Sequence, residues 1–307
     1  MDKSYSFLSS NNVNKIHVAL WIPEGEVKAI LQISHGMIEH IGRYNSFARY
    51  LNQFGILVVG NDHLGHGGSV SSCDDLGYMG EGDASKNLVR DLHTVTVNMK
   101  KRYPDIPYFI LGHSMGSFLV RRYLMTYGKD VNGAILMGTG DPDGAAINAG
   151  KALVKGLIKA KGDRHKSKLV DRIMFGLYNI KIENKRTPKD WISRDNAEVD
   201  KYLADKYCTF SFTLNADLAL LNTLSYIQNP KHIDKIPKDL PIYMVSGLSD
   251  PVGDYGSGVL HVFDHLKNAG IKDIEIKLYD GCRHELLNET NKYEVYKDIK
   301  DWLNEQK

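Results

Sequence analysis

What most constrains this chain is a rhythm. Short β-rich apolar runs alternate with stretches whose apolar residues recur at helical spacing. Ala29 to Ser34 (AILQIS) and Ile56 to Gly60 (ILVVG) are brief, apolar and bounded by turn residues. Such runs read as strands of a parallel sheet buried on both faces. Ile16 to Ile22 (IHVALWI) alternates like a half-buried strand, and Tyr108 to Leu111 and Ala134 to Met137 are further strands. Between them, Phe47, Leu51 and Phe54 mark one helix, stopped by Gly55. Leu88, Leu92, Val95 and Met99 stripe a longer one, which Asp83 can cap and Tyr103-Pro104 ends. Strands alternating with helices imply βαβ units and a mostly parallel sheet flanked by helices, an α/β fold.

The rhythm breaks at Asp141, and no clear strand follows until after about Leu221. It then resumes, with a strand at Ile242 to Val245, a helix at Val259 to Leu266, a strand at Ile274 to Leu278 and a terminal helix striped by Val295, Ile299, Trp302 and Leu303. The expected organisation is a core of residues 1–140 and 222–307, with a helical cap of residues 141–221 inserted after about the sixth strand. Residues 151–190 carry twelve Lys or Arg against four Asp or Glu, a surplus of eight in a chain whose net charge is only +2. That stretch reads as a basic outer face over apolar residues such as Val154, Leu157, Ile158, Leu169, Ile173 and Leu177. It is either a solvated helical face or a surface drawn to anionic lipid or an anionic substrate. So small a net charge gives no global case for nucleic-acid binding.

Cys73, Cys208 and Cys282 are odd in number and far apart, so they read as reduced thiols and suit a reducing compartment. The N-terminus lacks the apolar core of a signal peptide, and no apolar run reaches membrane-spanning length, so the expectation is a cytoplasmic protein.

The chemistry is concentrated in Gly112-His-Ser114-Met-Gly116, a GxSxG set between a strand and a helix. A nucleophile elbow requires that setting: glycines let two backbones crowd together while the serine stands on a strained turn at a helix N-terminus. A serine hydroxyl needs a base and the base an acid, in the chain order Ser, acid, His. His284 follows the last strand and is the expected base; His261 and His265 fall on a helical stretch. Asp250, in the turn GLSDPVG after a strand, is the expected acid, with Asp280 and Asp254 as rivals. One oxyanion-hole donor is the N–H of Met115, after the nucleophile, and the other is Met37, in the loop HGMIEH after an early strand. In that loop His35 and Glu39 read as braces. The loop GNDHLGHGGS carries Asp62, His63 and His66, but their spacing, with His35 and His40, matches no strong zinc signature. Gly138-Thr-Gly140 lacks the third glycine of a dinucleotide fingerprint. Neither metal nor organic cofactor is expected.

Together HGMIEH, GNDHLGHGGS, GHSMG, SGLSDPVG and GCRHELLNE, in this order, resemble the α/β-hydrolase fold, and more narrowly the monoacylglycerol lipase and lysophospholipase group of serine hydrolases. The resemblance covers the core on both sides of the cap, and it implies the triad Ser114, Asp250 and His284 with Met37 and Met115 as oxyanion hole. It implies an esterase acting on single-acyl-chain lipids such as monoacylglycerols. The alternatives are a lysophospholipase, a carboxylesterase for short-chain or aromatic esters, and a non-catalytic binding protein on a hydrolase fold.

Overall fold

The computed structural model describes residues 1–306. Its eight strands are β1 (Lys3–Leu8), β2 (Lys15–Trp21), β3 (Ala29–Ser34), β4 (Ile56–Asn61), β5 (Tyr108–His113), β6 (Gly133–Met137), β7 (Ile242–Gly247) and β8 (Ile274–Tyr279). They form one sheet in the order β1-β2-β4-β3-β5-β6-β7-β8. Strands β3 to β8 run parallel, while β2 pairs antiparallel with both β1 and β4. The buried runs at β3, β4, β5 and β6 were expected from their composition. Strand β1 was not: it is an edge strand paired with β2, whose Tyr5 and Phe7 alternate with exposed residues and pack half-buried against the core.

The α-helices among the described residues are α1 (Asn45–Asn52), α2 (Ala84–Arg102), α3 (Met115–Tyr127), α4 (Gly144–Lys161), α5 (Lys168–Phe175), α6 (Asn196–Ala204), α7 (Leu214–Ile227), α8 (Pro230–Ile233), α9 (Ser257–Asn268) and α10 (Lys292–Glu305). One sheet face is covered by α2, α3 and α9, which contribute Leu92, Leu119, Tyr123 and Val262 to one apolar layer, and α7 packs over α2 and α3. The other is covered by α1 and α10, through Phe47, Leu51, Ile299 and Trp302. Asp83 caps α2 by accepting a hydrogen bond from the Lys86 amide. Phe54 lies beyond the end of α1 and is 37% exposed, because the helix stops at Asn52.

The chain between β6 and β7 forms α4 to α8 and no strand. Helix α7 runs continuously through residue 221 and packs on α4 as well as on α2 and α3, so the helical segment and the core share it. Leu169, Ile173 and Leu177 are 54%, 61% and 69% exposed, and Ile180 is 62% exposed. The second half of the expected apolar stripe therefore faces outward among the basic residues, whereas Val154 is buried and Leu157 and Ile158 pack half-buried against the core.

Parallel registers align the strand ends. Ser34 pairs with Gly112, His113 with Met137, and Gly247 with Tyr279. The loops after β3, β5, β6, β7 and β8 consequently meet along one edge of the sheet, where open α/β sheets place their ligands.

Candidate active site

Strand β5 hands over to α3 at a single residue, Ser114, whose φ of 53° and ψ of −122° lie outside the regions an L-residue prefers. Such a conformation costs on the order of 1–3 kcal/mol and is held by its surroundings. The Ser114 amide donates to Met137 O at 2.9 Å, and Ser117 Oγ donates to Ser114 O at 2.6 Å. A Cβ on Gly112 would collide with Gly116 O, and one on Gly116 would collide with Ser34 O. Both glycines are thus required by the close approach of β5, α3 and β3. The turn lifts Ser114 onto the floor of a cavity at the N-terminus of α3.

His284 follows β8 and reaches the same cavity. Its Nδ1 lies 2.9 Å from Asp250 Oδ2, and both residues are buried. Asp250 also accepts from the Val252 amide at 2.9 Å, so it stays fixed as an acceptor for the imidazole. With Nδ1–H donated to the carboxylate, Nε2 keeps the lone pair a base needs. Gly138, with φ of 57°, lies against the ring, where a Cβ would come within 3.2 Å of Cε1. Trp191 and His113 flank the ring at centroid distances of 5.1 and 4.8 Å. The rival acids Asp254 and Asp280 are exposed, and His261 and His265 lie on α9.

The loop after β3 brings Met37 to the cavity beside Ser114 and Met115. Met115 opens α3, so its N–H has no acceptor within the helix. The preceding amide, Gly36 N–H, is taken by Glu39 Oε1 at 2.5 Å, which leaves Met37 N–H as the next donor of the loop. Ile38 adopts φ of 55°, a genuine outlier for a β-branched residue. Tyr202 OH holds it by donating to Ile38 O at 2.8 Å.

Glu39 is the hub of a buried network. It also accepts from Tyr44 OH at 2.9 Å, from His113 Nδ1 at 3.0 Å and from Arg43 at 3.0 Å. Arg43 reaches on to Glu285 with two hydrogen bonds of 2.7 and 2.6 Å. Burial alone would raise the Glu39 pKa, but the His113 hydrogen bond and the charges of His113 and Arg43 hold it well below the usual carboxylate range. Burial likewise disfavours His113 charging, and Glu39 overrides it to raise the His113 pKa. Residues flanking Ser114, His284 and the loop after β3 are thereby tied together. Sequence reading identified Glu39 as a brace but missed Arg43 and Glu285, whose separation of 242 positions leaves no local signal.

The histidine-rich loops are hydrogen-bonded scaffolding. Asp62 accepts from the Ile41 and Gly68 amides at 2.8 and 2.7 Å and from His17 at 3.0 Å. His35 Nε2 accepts from the His63 amide at 3.0 Å, and His66 Nδ1 lies 2.9 Å from Leu64 O. Burial, reinforced by the charge of His35, pushes the His66 pKa down to about 3, so it is neutral at physiological pH. Among the described residues, His40, Asp205 and Cys208 group three possible metal-ligand atoms within 4.8 Å. Burial raises the Cys208 pKa and keeps the thiol protonated despite the nearby Arg43 charge.

The cavity has a volume of about 300 Å³. Ile147, Val154, Leu220, Leu221 and Leu224, from α4 and α7, line its apolar part. Glu39, His113, Lys189 and Tyr202 lie among its polar lining. The helical segment is coupled to the histidine loop, since the Glu285 amide donates to Ile192 O at 2.7 Å and Arg283 Nη1 donates to Asp190 O at 2.6 Å.

Residues 25–291 match the family described as serine aminopeptidase, S33. The chain is 30% identical to a monoglyceride lipase homolog of Monkeypox virus, over 94% of both chains. It is 29% identical to the monoglyceride lipase of Rattus norvegicus, over 92% of this chain and 84% of that protein. In structure it resembles a thermostable carboxyl esterase from Bacillus coagulans solved with glycerol, with a TM-score of 0.91 and 30% identity over 98% of this chain and 97% of that one. With one mostly parallel sheet, the family match over most of its length and these relatives, the chain belongs to this family of serine hydrolases with the α/β-hydrolase fold.

Proposed function

We propose that the protein is an esterase for single-acyl-chain lipids of the monoacylglycerol type, acting through an acyl-enzyme on Ser114. The observation that carries this reading is the cavity: apolar walls from α4 and α7 lead to Ser114 and His284. His284 Nε2 takes the Ser114 proton as the oxygen attacks the ester carbonyl, and Asp250 stabilises the imidazolium. The Met37 and Met115 N–H groups hold the oxyanion. His284 then protonates the leaving alcohol and activates water against the acyl-enzyme. No step requires a metal or organic cofactor.

Residues 141–221 serve in this reading as the cap that encloses the acyl chain, with α7 continuing into the core. The exposed Leu169, Ile173, Leu177 and Ile180, set among Lys155, Lys159, Lys166, Lys168 and Arg172, suit brief contact with an anionic lipid surface. Free thiols at Cys73, Cys208 and Cys282 fit a cytoplasmic setting. Peptidase action is less well supported. The cavity carboxylates Glu39 and Glu285 are both engaged by Arg43, which leaves neither to anchor a peptide's α-ammonium.

The test is hydrolysis of p-nitrophenyl esters from C2 to C16 beside monoacylglycerol and lysophosphatidylcholine, with Ser114→Ala as control. Release of glycerol, a preference for longer chains and loss of all activity in Ser114→Ala are expected. Activity confined to C2–C4 would instead support the short-chain carboxylesterase reading, which the likeness to the Bacillus coagulans esterase favours.

A further inference from the structure

Lys189 stands out among the polar groups of the cavity. It precedes the turn Asp190–Ile192, and its backbone is fixed by bonds from Lys189 N to Thr187 Oγ1 at 3.2 Å and from Ile192 N to Lys189 O at 3.0 Å. Its side chain lines the cavity, and Nζ lies 5.8 Å from the ring centroids of both Trp191 and Tyr202. Trp191 packs on His284. Tyr202 bonds the backbone beside Met37. The ammonium is therefore held between the general base and the oxyanion loop.

No carboxylate or carbonyl among the described residues hydrogen-bonds that ammonium. Asp171 is the carboxylate whose charge acts on it most, and Glu285, engaged bidentately by Arg43, acts on it less, but neither bonds it. Burial correspondingly lowers the Lys189 pKa. A half-buried cation without an ion pair is costly unless a ligand supplies the anion. Its place in the cavity specifies which part of a substrate that ligand is. The acyl chain has the apolar walls of α4 and α7, whereas Lys189 sits beside the ring packed on His284, the residue that protonates the departing alcohol.

We propose that Lys189 forms a head-group subsite for a phosphate carried by the alcohol part of the ester, so that the preferred substrates are single-chain lipids with an anionic glycerol phosphate head. The proposal rests on the esterase reading above and narrows its substrate class. Three glycerol carbons separate ester from phosphate in such a substrate, and Ser114 and Lys189 line the same cavity for the two groups to occupy. A charge-assisted bond of this kind is among the stronger polar contacts, and desolvation strengthens it.

The experiment compares 1-octanoyl-glycerol with 1-octanoyl-glycerol-3-phosphate, both below their critical micelle concentrations so that surface attraction by the cap does not enter. Wild type, Lys189→Met and Lys189→Arg are assayed, with octyl phosphate and octanol as inhibitors of p-nitrophenyl butyrate hydrolysis. Wild type is expected to favour the phosphate ester at least tenfold in kcat/KM. Lys189→Met should lose that preference mainly through KM, and Lys189→Arg should restore most of it. Octyl phosphate should inhibit wild type at least tenfold better than octanol, and the gap should close in Lys189→Met. Equal losses on both esters, or a wild-type preference for the neutral one, overturn the subsite. If neither octanoyl ester is cleaved while p-nitrophenyl butyrate is, the lipid-esterase reading fails instead. The octyl phosphate comparison then still decides whether Lys189 binds phosphate.

Discussion

Asp217 sits on α7 with no exposed surface, and neither carboxylate oxygen has a hydrogen-bond partner among the described residues. Burial, with a smaller contribution from the charge of Asp171, pushes its pKa up from 3.8 to about 7. The folded state therefore holds a proton that the unfolded chain releases at lower pH, and stability contributed by this group falls as pH rises. The penalty is absent well below pH 3.8, grows through the acid range and is complete above about pH 7. At 1.36 kcal/mol per pH unit it amounts to about 1.5 kcal/mol at pH 5 and about 4 kcal/mol at pH 8. Asp217→Asn keeps the shape and cannot ionise. Relative to wild type, it should gain about 2.5 kcal/mol between these two pH values. On a chain of this size that widens the Tm difference by roughly 5 °C. The assay is thermal unfolding of both proteins across pH 4 to 8, in which every other titrating group is shared and cancels. A Tm difference that stays constant over that range would refute the reasoning, because it would mean that Asp217 ionises at its ordinary pKa in the folded state.

Three further outcomes are expected. Asp250→Asn should leave the fold intact and lower kcat on the order of 10³–10⁴-fold by presenting His284 in the wrong tautomer, as steady-state kinetics on p-nitrophenyl butyrate would show. Glu39→Gln keeps an acceptor for the Gly36 amide but removes the carboxylate charge that faces His113 and Arg43, leaving Arg43 with Glu285 alone. It should lower kcat at least tenfold with KM little changed, whereas a change confined to KM would argue for substrate contact instead. Gly116→Ala would drive a methyl group into Ser34 O and should cost about 1–3 kcal/mol or more, read as a drop in the urea midpoint.

Much of this fold is written locally. The apolar runs at β3 to β6 are buried on both faces, so they need no alternation, and their composition alone announces a parallel sheet. The turn around Ser114 is legible for a related reason: Gly112 and Gly116 are demanded by backbone contact within a few residues and with the neighbouring strand, and such a constraint stamps residue identity. Strand β1 is a short edge strand with only Tyr5 and Phe7 turned to the core, too brief a pattern to announce a strand before its pairing with β2 is known. Helix α7 was split by the expected boundary at residue 221 because a helix that packs on both layers carries apolar residues for each.

The sequence by itself determined the order of elements, the elbow at Ser114, and the residue types available for a base, an acid and two backbone donors. Tertiary structure decided which of them meet. Asp250 rather than Asp254 or Asp280 is buried against His284, and Arg43 bridges Glu39 to Glu285 across most of the chain. It also turned Leu169, Ile173 and Leu177 outward and left the Lys189 ammonium unpaired inside the cavity. Local backbone needs act on neighbours in the chain and so leave a pattern there. Pairing, burial and charge compensation act through space, and only the folded arrangement says which groups have found a partner.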